Sequence, residues 1–409
     1  MTENNKKVKL GLIPRLLIAI GAGIFIGSFL PPVVTQIAVT VSANFGKFLG
    51  FIIPLMIIAF VTKGIAELSE GAGKLLLVTV VLSYVSTLIA GTLSYTMPFT
   101  IFPKFITADL VEKVTAATGN DLSSFFTIPL NPILDVTSAL VFAFMLGLCV
   151  SILRQKGSGE TLYRIIDEFS DVINLVLSKM IIPFLPFFIL GNFANMAYSG
   201  SVFVIMRIFL VIFACIIILH ILYLTLMFII AGTYTKKNPF EAMKKAFPAY
   251  LTAVGTQSSA ATIPVNVECN KKIGVSQQIR EFVIPLCATC HMPGSMITLT
   301  ACVYTLLYMY NLPHSYGLIV RFIAVLGIAM VAAPGAPGGA VMSALPFLPL
   351  VAIAPDGPIA AILVSLYLTQ DSFGTAANVT GDNAISMMVE KIYYNNIVKK
   401  PIPVDMKQE

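Results

Sequence analysis

Long apolar runs dominate this chain, separated by short polar stretches that carry most of its lysines and arginines. The runs fall near residues 11–31, 40–62, 75–101, 135–153, 170–198, 202–232, 282–310 and 357–390. Several reach the roughly 20 residues that a helix needs to cross a bilayer. Two further segments, near 246–268 and 317–350, are apolar but interrupted. The first has hydroxyls and small residues at its middle, VGTQSSAATIPV (254–265). The second has two prolines and three glycines there, AAPGAPGGAVM (332–342). Non-helical backbone at membrane depth persists only where protein or a water-filled cavity satisfies its polar groups. Two broken segments, each followed by a full span, point to the binding site of a secondary transporter. The alternative is a pair of proline-kinked ordinary helices.

The basic residues give an orientation. Lys6, Lys7 and Lys9 precede the first run, and Lys74 follows the second. Arg154, Lys156 and Arg164 follow the fourth, and Lys236, Lys237, Lys244 and Lys245 follow the sixth. Lys271, Lys272 and Arg280 precede the run at 282, and Lys399 and Lys400 follow the last. All fall on one side if the chain has eight spans and the two interrupted segments enter and leave by the same face. The positive-inside rule then predicts eight helices, two re-entrant hairpins and both termini in the cytoplasm. The loop at 102–134, with Lys104 and Lys113, lies outside. The N-terminal run is too long for a cleaved signal and is read as the first transmembrane helix.

Composition agrees. Of 409 residues, 57% are hydrophobic and 11% charged, against about 25% charged in a soluble domain. A soluble protein of this size needs a polar shell that these residues cannot supply. The chain is therefore read as an all-α polytopic membrane protein. Its net charge of +6 reports orientation in a lipid bilayer rather than nucleic-acid binding. The six cysteines sit mostly in apolar segments and are expected to be free, buried thiols. Without tryptophan, any interfacial aromatic belt falls to tyrosine.

The most informative run is LTQDSFGTAANVTGDNAISMMVEKI (368–392). Asp371, Thr375, Asn378 and Asp382 recur at i, i+4, i+7 and i+11, which puts them on one stripe of a helix. A carboxylate at the bilayer centre costs about 2.5–3.5 kcal/mol, so two on one stripe need partners. Substrate and a coupling cation are one such pair of partners, and an interhelical hydrogen-bond network is the other. A second stretch, CATCH (287–291), has the C-x-x-C-H spacing of c-type haem attachment. It lies between apolar residues on an expected helix, which disfavours a haem redox protein. An intramembrane aspartyl protease is disfavoured too, because Asp371 and Asp382 lie about 16 Å apart on one helix. A passive channel differs in not concentrating its cargo. Lys63 and Glu67, at i, i+4, read as a snorkelling interfacial pair, and His220 and His314 show no pattern.

NVTGD with an upstream aspartate, TQSSAATIPVNVECNKKIGVS (256–276) and PGAPGGAVM together resemble the glutamate transporter family, the dicarboxylate/amino acid:cation symporters. The resemblance runs in order along nearly the whole chain. It implies a plasma- or inner-membrane homotrimer, a transporter rather than an enzyme, with no covalent cofactor. A transport domain would move as an elevator against a fixed scaffold, in a fold with inverted repeats. On this resemblance residues 1–74 hold scaffold helices 1 and 2, 75–101 transport-domain helix 3, 102–165 the outer loop and scaffold helix 4, and 166–200 scaffold helix 5. Residues 201–245 hold transport-domain helix 6, 246–281 the first hairpin, 282–312 a broken seventh helix, 313–352 the second hairpin, 353–395 helix 8 and 396–409 a cytoplasmic tail.

The resemblance also assigns roles. A substrate amino group would sit on Asp371. Its α-carboxylate would be held by Asn378 and by Ser258 and Ser259 at the first hairpin tip, with Ser295 and Thr375 nearby. The second tip, at Ala336, Pro337 and Gly338, would be the gate. A first sodium site maps onto the Cys287 and Asn378 carbonyls, His291 and Asp382, and a second uses Thr289 and backbone near the second tip. Two departures stand out. Where acidic-substrate members carry an arginine this chain has Gly374, and the hairpin arginine of several bacterial members is Gln257. A second substrate carboxylate would lack its bidentate partner. The expected substrate is thus a small neutral amino acid, as similarity to bacterial serine/threonine symporters also suggests. The alternative is an acidic amino acid or dicarboxylate, and Gly374 is read as room for a larger neutral side chain. The family's N-M-D-G-T motif, which helps form a third sodium site with hydroxyls here at Ser86 and Thr87, reads His291-Met-Pro293-Gly-Ser295. The change implies fewer sodium ions per cycle, or partial replacement by a proton on His291.

Overall fold

A computed structural model describes residues 12–67, 73–101, 104, 121–134, 136–200, 202–330 and 338–403. Among these residues every regular element is helical. The chain opens with α1 (Leu12–Phe29), α2 (Pro32–Glu67) and α3 (Gly73–Ile101), then α4 (Val136–Gln155). Helix α5 (Glu160–Val176) runs through a π-helical turn (Leu177–Ile181) into α6 (Ile182–Ser199). The π turn sits where Pro183 offers no N–H to the preceding turn. This rod starts ten residues before the apolar run at 170, because α5 is amphipathic: Ile166, Ser170 and Ile173 are buried while charged residues face out. After α7 (Val202–Thr235) come α8 (Pro239–Thr256) and α9 (Ser259–Ile273), then α10 (Gln277–Cys290) and α11 (Pro293–Met309). Last are α12 (Tyr316–Met330), the short α13 (Gly339–Ala344) with a 3₁₀ turn (Leu345–Val351), and α14 (Pro358–Ile392).

Among the described residues five stretches are long and apolar enough to cross a membrane: Pro32–Lys63, Lys74–Ile101, Glu160–Ser199, Phe209–Thr235 and Gln277–Met309. Helices α1 and α4 are apolar but shorter. Helix α14 is long enough, with 35 residues, but its polar groups keep it below that level of apolarity.

By packing, the helices sort into two groups. In the first, α2 lies against α4, α5 and α6, and α1 lies on α6. Small residues let these backbones approach: a Cβ on Gly27 would stand 2.0 Å from the Ala194 carbonyl oxygen, and one on Gly191 2.3 Å from that of Ala38. In the second group α14 is the hub, packed by α3 and by α7 through α11. The groups touch more sparsely, where α6 meets α7 and α14, where α2 meets α12 and the 3₁₀ turn, and where the loop before α14 meets the middle of α2. There Lys47 bonds Asp356 at 3.0 Å, beside Gly46, whose missing Cβ makes room for the Asp356 carbonyl.

The first interrupted segment breaks at its small polar residues. Helices α8 and α9 meet at Gln257, which is left-handed at φ 55°, and Ser258, which is extended and accepts the Ala261 N–H. The first arm begins at Pro239, earlier than the apolar run suggests, because Asn238 caps it by accepting the Phe240 and Glu241 N–H groups. In the second segment α12 is followed by residues outside the description, then by Gly338 at φ 78° leading α13. The break between α10 and α11 has a local cause as well. Pro293 disfavours helical dihedrals at Met292, which sits at φ −126°, ψ 49°, and then serves as the first residue of α11.

Candidate functional site

The interrupted end of α11 runs into α14 at a crossing of two glycines. A Cβ on Gly294 would lie 2.3 Å from the Gly374 carbonyl oxygen and 2.6 Å from the Ala377 Cβ. The first N–H groups of α11 have no partners within their own helix. Asn378 supplies them: its Oδ1 accepts the Gly294 N–H at 2.8 Å and the Ser295 N–H at 3.2 Å. His220, on α7, braces the same crossing, with Nε2 2.9 Å from the Gly294 carbonyl and 3.2 Å from the Thr298 hydroxyl. The side chain on the α14 stripe thus closes a helix end that the sequence left open.

Around this crossing two buried clusters form. In the first, Asn378 Nδ2 donates to Ser295 Oγ at 2.9 Å, and the Tyr367 hydroxyl donates to the same oxygen at 2.9 Å. One turn further along α14 from Tyr367, Asp371 Oδ2 accepts the Gly338 N–H at 2.7 Å, and Thr375 faces Oδ1 at 3.5 Å. Every side chain here is buried. Among the described residues no lysine or arginine neighbours Asp371 or Tyr367. The carboxylate suits an ammonium group, and the amide and hydroxyl donors suit a carboxylate.

The second cluster lies about three turns along α14. Asp382 Oδ1 is 2.8 Å from His291 Nδ1, and His291 Nε2 is 2.9 Å from Ser86 Oγ on α3. Ser86 is held by Tyr223 of α7, whose hydroxyl lies 2.8 Å from Ser86 Oγ and donates to the Ser86 carbonyl at 2.5 Å. Thr87 receives the Met292 N–H at 3.4 Å. Asp382 and His291 are 1% exposed each, so the pair is sealed from water, and each supplies the other's polar partner.

The first hairpin enters the same region by register. Asn266 of α9 donates to the Val379 carbonyl, and Asn270 donates to Asn383, so residues of α9 pair with residues 113 further along α14 in both cases. Carried back along the parallel helices, that register sets Ser258 and Ser259 level with Asp371 and Ser372. Asn383 Nδ2 to Asn266 Oδ1 and Ser386 Oγ to Asn270 Oδ1 complete a buried ladder that fixes the arm to α14.

The structure thus brings together Ser295, Gly338, Asp371, Thr375 and Asn378, and separately His291, Asp382 and Ser86. Cys287 is buried near the second cluster, with its carbonyl accepting the His291 N–H. Thr289 is not drawn in: it is exposed and its hydroxyl bonds back to Leu286. Ala336 and Pro337 fall outside the described residues. A Cβ on Gly374 would meet the Gly294–Ser295 backbone at 3.5 Å, an ordinary contact distance. Lys63 reaches Asp167 on α5 at 2.5 Å, a partner that spacing along its own helix does not reveal. Of the thiols, Cys149 is exposed and Cys215 half-buried, while the other four are buried and all six are free. Three residues escaped the sequence reading. Tyr367 extends the α14 stripe by one turn, at i−4 from Asp371. His220 and Tyr223, three residues apart, share a face of α7, a pattern that gains meaning only from what lies opposite.

With this geometry in place, one comparison bears on the chain as a whole: the model of the sodium:dicarboxylate symporter family matches residues 12–392.

Proposed function

The chain belongs to the sodium:dicarboxylate symporter family, multi-pass membrane transporters coupled to sodium, and from that premise we propose that it takes up a small neutral amino acid of serine or threonine type. The site is Asp371, Thr375 and Asn378 on α14, Ser295 on α11, and the hairpin tips at Ser258, Ser259 and Ala336 to Gly338. The observation that carries this reading is the pairing of one carboxylate with neutral donors. Between Arg280 and Lys391 the sequence holds a single lysine or arginine, Arg321, and it is exposed on α12. A zwitterion finds a partner for each of its charges. A second substrate carboxylate would be buried without a cation, which is costly.

In this reading eight spans and two re-entrant hairpins form a homotrimer in the cell membrane, with both termini cytoplasmic. The first helix group is the fixed scaffold and the second the moving transport domain. The sparse packing between the groups, against the dense packing within each, supports a division at that boundary. Sodium drives the cycle, with Cys287, His291, Asn378 and Asp382 at the first site and Thr289 at the second. The His291 imidazole already bonds Asp382 and Ser86, where a third ion would need oxygen ligands, and this supports fewer sodium ions per cycle.

Competition against labelled serine in proteoliposomes tests the substrate. Serine and threonine should displace the label, while aspartate, glutamate and succinate should not. Displacement by the dicarboxylates at low concentration would favour the acidic-substrate reading, the family's other branch. Sodium dependence tests the ions: His291→Asn combined with Pro293→Asp should steepen it. An uptake that follows a pH gradient without a sodium gradient would assign the drive to protons.

A further inference from the structure

Between Pro32 and Lys63 helix α2 carries a single charged residue, Lys47. A lysine in the middle of an apolar run needs a partner or a route to water. Its partner is Asp356, at 3.0 Å, on the loop that joins the 3₁₀ turn to α14. Two glycines one turn apart shape α2 for that loop. A Cβ on Gly46 would stand 2.7 Å from the Asp356 carbonyl oxygen, too close for the loop to stay where it is. One on Gly50 would meet the Asp356 Cβ at 3.8 Å. The loop is tied down on both sides: the Ile353 N–H donates to the Leu348 carbonyl and the Gly357 N–H to the Ala354 carbonyl, each at 3.1 Å. Asp356 is thus a stiff tip in a seat, with a cation at its rim.

Beyond the seat the same face of α2 changes character. Met56, Ile57 and Phe60 face Ala329, Pro346 and Phe347 across a narrow crevice, where the buried Ser343 hydroxyl has no partner. An apolar face can slide, because a shift exchanges one set of dispersion contacts for another of similar strength. The ion pair has no such exchange, since the next lysine along α2 is Lys63, about 24 Å away. Both of its side chains are partly exposed. Water can take up each charge when they part, so separation is cheap. A pair sealed as His291 and Asp382 are would leave two uncompensated charges on parting.

We propose that Asp356, seated on Gly46 and Gly50 and held by Lys47, is a releasable catch that favours the position of the two helix groups seen here. The inference rests on the division into scaffold and transport domain proposed above. It adds the contact that a transport movement has to break and remake. The catch fixes one register, and the apolar face beyond it permits travel.

A dye pair reads the distance between the groups in the full-length protein. The dyes sit on Lys156→Cys, after α4, and Lys271→Cys, in α9, both exposed positions, with the exposed Cys149 replaced by serine. The wild type should show two distances, that of this structure among them. The ratio of docked to undocked should fall about threefold in Lys47→Met, and further in Gly46→Ala, where a backbone carbonyl has to retreat. Lys47→Asp should lower it too, and adding Asp356→Lys should restore it, because the reversed pair refits the seat. At fixed sodium, raising potassium chloride from about 50 mM to about 500 mM should lower the wild-type ratio and leave that of Lys47→Met unchanged. A wild-type ratio that ignores salt overturns the catch without any variant having to fold. So does a Lys47→Met or Gly46→Ala ratio equal to the wild type's, or a reversed pair that fails to restore it. A single distance in every variant, unmoved by sodium or serine, overturns the movement between the groups, and the catch with it.

Discussion

Helices α7 and α14 lie side by side and differ by one residue in length, yet they are built in opposite senses. Helix α7 turns its apolar side chains outward: Ile218, Ile221 and Leu222 are 52%, 49% and 59% exposed. Helix α14 buries what a soluble protein would display, including Gln370, Asp371, Asn378, Asp382, Asn383 and Glu390. In water the hydrophobic effect would reverse both. In a bilayer the lipid is as apolar as leucine, so hiding leucine gains little and hiding a carboxylate gains much. Burial in this protein therefore marks chemistry more than it marks a core.

Substitutions can test that contrast. The largest effect should come from Asp371→Leu, which a view based on hydrophobic cores would call stabilising. Uptake should fall by about a hundredfold or more, roughly 2.7 kcal/mol, while the melting temperature holds or rises. A melting temperature that collapses would make Asp371 structural. The mirror-image change, Leu222→Asp on the outward face of α7, should cost about 2.5–3.5 kcal/mol of insertion energy, read as lost yield in membranes. Normal yield would mean that this face does not meet lipid. Next comes Asn383→Leu, which leaves the Asn266 oxygen and an Asn270 amide proton buried without partners. Each such group costs about 1–3 kcal/mol, so thermal stability should drop clearly, and an unchanged melting curve would show that water reaches the ladder. The smallest effect belongs to Lys47→Met. The two side chains are 44% and 30% exposed, and such pairs contribute about 0–1 kcal/mol. A stability change beyond that range would mean that the groups are joined more firmly than their packing indicates.

The sequence disclosed features that depend on a single helix and concealed those that depend on two. The α14 stripe was legible because 3.6-residue periodicity puts Asp371, Thr375, Asn378 and Asp382 on one line whatever surrounds them. The breaks at Ser258 and Met292 were legible because serine caps and proline interrupt locally. The partner of Lys63 was not, since i, i+4 spacing points to Glu67 while the side chain also reaches across to Asp167. Tyr367 and Tyr223 sit in apolar helices, and each gains significance only through a hydroxyl facing the α11 or α3 residue opposite. Helix α14 is less apolar than the other long helices, because its buried polar groups lower its hydropathy.

The Gly338 N–H already bonds the Asp371 carboxylate that a substrate ammonium would take. Binding there is an exchange reaction, in which a tethered donor is displaced by a free one. Its net free energy is the difference between two similar bonds, set against the effective concentration at which the tether presents its own donor. Changes that loosen the segment carrying Gly338 should then tighten apparent binding without touching the pocket, and changes that stiffen it should weaken binding. Apparent affinity would measure the hold of that segment as much as the fit of the cargo.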